Sequence, residues 1–296
     1  MYKRQIQLDC GRGHGILDKL TAQDLITFTG SAQTGRMLKS MPHIIEQAIP
    51  FNMETDSLNA AILGEDAAPG TSTFDLFIKE VRKEMTTKAG QKCTAIRRII
   101  VPEKYLEDTR IALGKSLAKT TLGDPAKEGV RMGALVNRPQ MDVVRNRVLE
   151  LAKDTPIVSG NLDQFDVLGA DKSKGAFVPP ILLLNDNPMQ KLDSHEVECF
   201  GPVSTLMPYQ DFDQAIELAK MGKGSLVSTI ATSDVDTATQ YAVEASAYHG
   251  RILVLNEESA PESTGHGSPM PQLMHGGPGR AGGGEELGGM GSVKHY

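Results

Sequence analysis

Cys93 is the residue whose surroundings most readily support covalent chemistry. It follows Lys88-Ala89-Gly90-Gln91-Lys92 and precedes Thr94, between a helical segment and the apolar run Ile96–Val101. Gly90 permits a tight backbone turn, so the amides after it can face a bound ligand. A thiol placed there can be held as thiolate by backbone N–H groups and by Lys88 or Lys92. The plain alternative is a buried, inert cysteine, which an isolated cysteine usually is.

Glu54 lies in Phe51-Asn52-Met53-Glu54-Thr55-Asp56-Ser57. A carboxylate after an apolar stretch can be raised in pKa by desolvation and serve as a general base, or it can be an ordinary exposed glutamate at a strand end. Gly30-Ser31 follows a β-like run at a helix start, where free N–H groups and the helix dipole favour a phosphate. A simple N-cap serine is the other reading. Gly11, Gly13 and Gly15 miss the full G-x-G-x-x-G spacing. His195 and Cys199 are four apart and could share a helical face, but without a third ligand in view no metal site is read there.

These residues need elements to hold them. Strands are expected at Gln5–Asp9, Leu25–Thr29, Ile96–Val101, Thr155–Ser159, Ala176–Leu184, Val203–Tyr209, Leu226–Ala231 and Arg251–Leu255. A short helical patch is expected at Ile16–Leu20. Longer helices are expected from Ser31 to about Ser40, and at Phe74–Thr87, Tyr105–Ala118, Gln140–Lys153 and Phe212–Lys220. The alternation predicts an α/β architecture around a largely parallel sheet. Gly265 to Gly291 holds 11 of the 30 glycines. It follows a strand directly and carries Leu273, Met274 and Leu287 as anchors, so it reads as an ordered loop lining the site rather than a linker.

The bulk numbers set limits on function. The 296 residues, 40% of them apolar, suffice for one large domain or two ordinary ones. A net charge of −6 without runs of like charge argues against a nucleic-acid partner. Three widely spaced cysteines with no C-x-x-C pair make a disulfide framework or a structural zinc site improbable, which fits a cytoplasmic protein. Ala176–Leu184 is too short to span a bilayer and no secretory signal is visible, so no membrane partner is expected.

Taken in order, the segments resemble the aldehyde dehydrogenase superfamily. Thr27-Phe28-Thr29-Gly30-Ser31 resembles the strand-turn-helix that touches the cofactor pyrophosphate, and Glu54 matches the general-base glutamate. Gly90-Gln91-Lys92-Cys93 matches the G-Q-x-C nucleophile motif, and Glu198-Cys199-Phe200-Gly201-Pro202-Val203 is similar to the E-x-F-G-P-V segment. Gly276-Gly277 and Gly283-Gly284-Glu285-Glu286-Leu287-Gly288 resemble the terminal glycine-rich signature. Two details depart from the usual pattern: the Met53–Asn59 stretch, and the 39 residues from Glu54 to Cys93. With Glu84–Arg98, Asn256–Ser259 and Ser263–Pro269, they are similar to the branch acting on CoA-linked semialdehydes in aerobic phenylacetate breakdown, with the benzoyl-CoA branch as the runner-up and a non-catalytic fragment lacking the cofactor half as the remaining alternative.

The resemblance implies a three-layer αβα catalytic domain plus an incomplete Rossmann-like cofactor domain. Residues 1–53 would be the end of a dinucleotide-binding domain, 54–255 the catalytic domain, and 256–296 a Gly-rich return to the domain interface. The chain is then expected to begin part-way through the cofactor domain and to stop short of the strand that pairs subunits. Cys93 would attack the aldehyde and Glu54 would activate water to release a free acid. Gly30 and Ser31 would contact the cofactor, Glu198 its ribose and Phe200 its nicotinamide ring. Asn256, Gly265 and His266 would line the substrate channel. NADP is the implied cofactor with NAD as the alternative, a CoA-linked aldehyde the substrate. A homo-oligomer with a fused or separate hydratase domain is the implied assembly.

Overall fold

The computed structural model describes residues 11, 15–270, 272–286 and 290. The expected strand Gln5–Asp9 and the positions of Cys10, Gly13, Leu287 and Gly288 lie outside the described residues.

The chain first forms β1 (Ile26–Thr29), α1 (Ala32–Lys39), α2 (Pro42–Glu46) and β2 (Phe51–Glu54). β1 and β2 pair in parallel, with Thr29 opposite Glu54, as a sheet of their own. Next come β3 (Ala60–Leu63), α3 (Ser72–Thr86), β4 (Arg98–Pro102), α4 (Leu106–Leu117), α5 (Arg138–Leu151), β5 (Ile157–Ser159) and β6 (Ile181–Leu184). β7 (Val203–Tyr209), α6 (Phe212–Lys220), β8 (Ser225–Ala231), α7 (Val235–Ala245) and β9 (His249–Leu255) follow, and β10 (His275–Gly276) pairs antiparallel with β11 (Glu285–Glu286).

The main sheet has seven strands in the order β5-β6-β7-β4-β3-β8-β9, parallel throughout except for β5 against β6. Its centre is buried on both faces, as a parallel sheet covered by helices must be. Strand alternation divides the core: Ala61, Leu63, Ile99 and Val101 face α3 and α4, whereas Ala60, Ile62 and Ile100 face α6 and α7. A third cluster joins Val144, Val148 and Leu151 of α5 to Ile181, Leu183 and Val203. The result is the α/β, three-layer class expected.

Several elements differ from the sequence reading. Only Ile181–Leu184 of the expected Ala176–Leu184 strand pairs, because Pro179 and Pro180 lack the N–H a ladder needs. β3 and α7 were not foreseen. His195 ends a short 3-10 turn with its ring between Arg98 and the Pro188 carbonyl, while Cys199 is buried with the α5 cluster; they share no helical face. Among the described residues no helix is long and apolar enough to cross a membrane.

Candidate active site

A cleft of about 400 Å³ lies where the small sheet meets the large one. Gly30 and Ser31 border it from the β1–α1 turn, Glu54 and Asp56 from the end of β2, and Cys93 from the turn before β4. Glu198 and Phe200 come from the segment before β7, with Gln140 and Arg147 of α5 opposite. Six residues separated by up to 170 positions in the sequence therefore share one opening: Gly30, Ser31, Glu54, Cys93, Glu198 and Phe200.

The turn carrying Cys93 is conformationally costly. Lys88 and Ala89, both at φ 53°, and Gly90 at φ 69° are successively left-handed. Such a conformation costs a non-glycine residue about 1–2 kcal/mol and persists only where surroundings enforce it. Gly90 is required as glycine, since a Cβ there would fall on the Gly201 carbonyl. Four hydrogen bonds from two side chains hold the turn. Asn59 Nδ2 donates to the Cys93 and Ala95 carbonyls at 2.8 and 3.0 Å. The buried Arg97 guanidinium donates to Gly90 O at 2.8 Å and to Gly201 O at 2.6 Å, tying this turn to the Glu198–Phe200 segment. Arg97 also lies 5.6 Å from the Phe200 ring centroid.

Cys93 is half-buried and borders the cleft, with Leu226, Val227 and Ala281 packed behind it. The expected lysine partners are placed elsewhere. Lys92 Nζ is committed to Glu84, a fully buried carboxylate at 2.8 Å, and Lys88 borders a separate hollow. Beside the sulfur stands His275, which the sequence reading passed over: its Nε2 is 3.6 Å from Cys93 Sγ and 3.5 Å from Glu54 Oε2. Donor atoms of Glu54, Cys93 and His275 all lie within 4.8 Å of one another.

The Glu198 side chain is only 9% exposed, and desolvation drives its carboxyl up to about 7; nearby Asp56 adds to the rise, while Arg97 and the Ser57 N–H oppose it. Ser31 does cap α1, accepting the Thr34 N–H at 3.1 Å, and Asp56 accepts the Ala32 N–H at 3.0 Å. The chain's own oxygens thus already satisfy two of the first three amides of α1.

The three expected channel residues lie outside this cleft. Asn256 sits beyond the far end of β9, about 16 Å along the strand from Arg251 at ~3.3 Å per residue. There its amide binds Thr232 O and caps the turn at Ser259. His266 is fully buried with Nδ1 on the Thr229 hydroxyl at 2.6 Å, and burial pulls it well below the usual histidine range. Gly265 packs over Glu80 and Lys83. The loop instead packs behind the Cys93 turn, with Gly267 O accepting from the Thr94 hydroxyl at 3.3 Å. The Gly-rich segment returns to β2: Gly284 N–H donates to Met53 O and Thr55 N–H to Ala281 O, both at 3.0 Å. A Cβ at Gly282 or Gly284 would fall on the Met53 carbonyl, which explains the glycines there.

A sequence profile of the aldehyde dehydrogenase family matches residues 5–295. The chain belongs to the aldehyde dehydrogenase family. It is 39% identical over 273 residues to 3,4-dehydroadipyl-CoA semialdehyde dehydrogenase of Aromatoleum evansii, covering 92% of this chain and 53% of that protein. It is 51% identical over 166 residues to Protein MaoC of Klebsiella aerogenes, covering 56% of this chain and 48% of that protein. The chain thus spans about half the length of these curated relatives. In fold it matches a betaine aldehyde dehydrogenase point mutant from Staphylococcus aureus, in complex with NAD+, with a TM-score of 0.80. That match is 23% identical and covers 96% of this chain and 54% of the other. An aldehyde dehydrogenase mutant from Bacillus cereus matches with a TM-score of 0.74 at 24% identity, covering 90% and 49%.

Proposed function

We propose that this aldehyde dehydrogenase chain carries the catalytic centre of an NAD(P)-dependent oxidation of a CoA-linked semialdehyde to the free acid. One observation carries the reading: Cys93 Sγ and a Glu54 carboxylate oxygen lie within 4.8 Å of each other on one cleft whose rim bears Glu198 and Phe200.

The cofactor pocket has a feature that fits a dinucleotide. Glu198 Oε1 is buried beside the cleft and makes no hydrogen bond among the described residues, so it can accept from a ribose hydroxyl. Phe200, at 37% exposure, offers an apolar face to a planar ring. When bound, the nicotinamide supplies the acceptor for the aldehyde hydride.

The chain's own groups do the rest. Cys93 as thiolate forms the S–C bond to the carbonyl carbon, and the thiol proton passes to Glu54. The backbone N–H of Cys93 is suited to receive the oxyanion, a donor of the kind worth roughly 3 kcal/mol. With the acyl group on Cys93 as a thioester and the thiol proton released from Glu54 to solvent, the Glu54 carboxylate takes a proton from water, the hydroxyl adds to the acyl carbon, and the C–S bond breaks to return the thiolate. The acid is the product because a base is retained where water must be activated.

The substrate class is proposed from the 39% likeness to a CoA-semialdehyde dehydrogenase over nearly the whole chain. Within it we place the protein in the phenylacetate-type branch with NADP as cofactor, on the strength of the Met53–Asn59 and Glu84–Arg98 segments. Membership of that branch also supports a homo-oligomer served by a hydratase activity. In the whole protein, Cys93→Ala is expected to lower oxidation of an acyl-CoA semialdehyde, followed as NADPH or NADH formation, by at least about a thousandfold. Oxidation at the unaltered rate would overturn the assignment.

A further inference from the structure

Arg251 decides what His275 can do. Its Nη1 lies 3.1 Å from His275 Nδ1, and its Nη2 is bound to His266 O at 3.0 Å. A guanidinium only donates, so Nδ1 must be the accepting nitrogen and the ring proton must sit on Nε2. That nitrogen is the one facing Cys93 and Glu54. Position of the ring is fixed on the other side too: Gly276 packs so closely on β9 that a Cβ at Gly250 would fall on the Gly276 carbonyl.

Two roles are closed by this arrangement. His275 cannot take the thiol proton, because Nε2 already holds one. It is also a poor metal ligand, although Glu54, Cys93 and His275 lie close enough to share an ion. Coordination through Nε2 needs its lone pair, and the proton displaced to Nδ1 would point at the Arg251 donor.

We infer that His275 is a positioning residue for the nucleophile, neutral and protonated on Nε2, donating to the Cys93 sulfur and favouring its thiolate while Glu54 remains the group that receives the proton. The inference rests on the reading of Cys93 as nucleophile and deepens it. Glu54 Oε2 competes for the same N–H, at a distance long for N–H···O but ordinary for N–H···S. Among the described residues, the charged and titratable groups around the sulfur include Glu54 from β2, Arg251 from β9, Arg97 ahead of β4 and His275 itself from β10. Both arginines favour the thiolate and Glu54 disfavours it. His275 adds a directed hydrogen bond to the sulfur.

The test is iodoacetamide labelling of this 296-residue chain across pH, read as the Cys93 peptide by mass spectrometry. Cys199, whose thiol burial pushes up to about 12, stays unlabelled in a folded chain and serves as the internal control. His275→Leu is expected to slow Cys93 labelling at neutral pH about tenfold and move its inflection up by about one pH unit. His275→Gln keeps an N–H donor and is expected to recover most of the rate. Superimposed curves for wild type and His275→Leu, or His275→Gln behaving as His275→Leu, would overturn the inference. If His275→Leu exposes Cys199, the ¹⁵N resonances of the wild-type ring decide. A protonated Nε2 with a bare Nδ1 supports the role, and the opposite tautomer overturns it. These readouts do not involve oxidation, so their failure leaves Cys93 and Glu54 standing. A Cys93→Ala protein that still oxidises aldehydes removes that assignment without moving the ring's tautomer.

Discussion

Arg97 Nε and Glu198 Oε1 face each other at 3.6 Å inside the protein, and neither atom makes a hydrogen bond among the described residues. The pair is close enough to attract and too long to bond. Glu198 is therefore a buried carboxylate with acceptor capacity to spare, and burial leaves it titrating at about 7. Arg97 spends its other nitrogens on Gly90 and Gly201, which ties the Cys93 turn to the Glu198 segment.

Cofactor affinity should follow that titration. An ionised carboxylate accepts a ribose hydroxyl more strongly than a protonated one. Affinity of the whole protein for NADP, measured by fluorescence titration, is expected to rise from pH 6 to pH 8. Glu198→Gln should bind more weakly and lose most of that slope. An unchanged slope in Glu198→Gln would mean that another group titrates.

Asn59 holds two carbonyls of the Cys93 turn while its Oδ1 accepts the Ser57 hydroxyl at 2.6 Å. Asn59→Ala leaves those carbonyls without their buried donor and is expected to cost about 2 kcal/mol of stability in urea unfolding. Asn59→Asp should be at least as harmful, because it replaces the donor with a buried negative charge. An Asn59→Ala protein as stable as wild type would show that the turn is held by Arg97 alone.

How much of this was legible in the sequence depends on range. Gly90-Gln91-Lys92-Cys93 and Glu198–Val203 are contiguous motifs, and the structure brings both to one cleft with Glu54. His275, Arg251 and Asn59 carry no local signature: each acts mainly through partners 15 to 182 positions away. His275 lies inside the Gly-rich segment, where the glycines drew attention and the ring beside them did not. β3 was missed because Ala60-Ala61-Ile62-Leu63 is buried on both faces and shows no alternation. α7 was missed because Val235, Thr237, Thr239 and Val243 favour strands, and only Tyr241 and Ala245 are buried to mark a helical face. Asn256 was expected in the substrate channel, but parallel β8 and β9 carry it to the opposite edge of the sheet from Cys93.

Acid should unfold the protein partly through His195. Burial and the neighbouring Arg98 depress this histidine from 6.5 to about 4, so the folded state binds its proton more weakly than the unfolded state. Its contribution is present above pH 6.5 and is lost as pH falls through about 4. Glu198 runs the opposite way, its contribution falling as pH rises between 4.5 and about 7, so the net slope mixes both groups. The difference between wild type and His195→Gln isolates the histidine. The urea midpoint of His195→Gln is expected to fall less between pH 7 and pH 4 than that of wild type, and parallel curves would contradict this.

Glu54→Gln separates the two halves of the proposed chemistry. Rapid mixing of the whole protein with aldehyde and NADP, followed at the nicotinamide absorbance, is expected to give a burst of about one NADPH per site, slower than in wild type because the thiol proton has lost its acceptor, and then near arrest. Cys93 would be acylated and the water left without its base. Steady turnover at the wild-type rate would place the base elsewhere and contradict the pairing of Cys93 with Glu54 across the cleft.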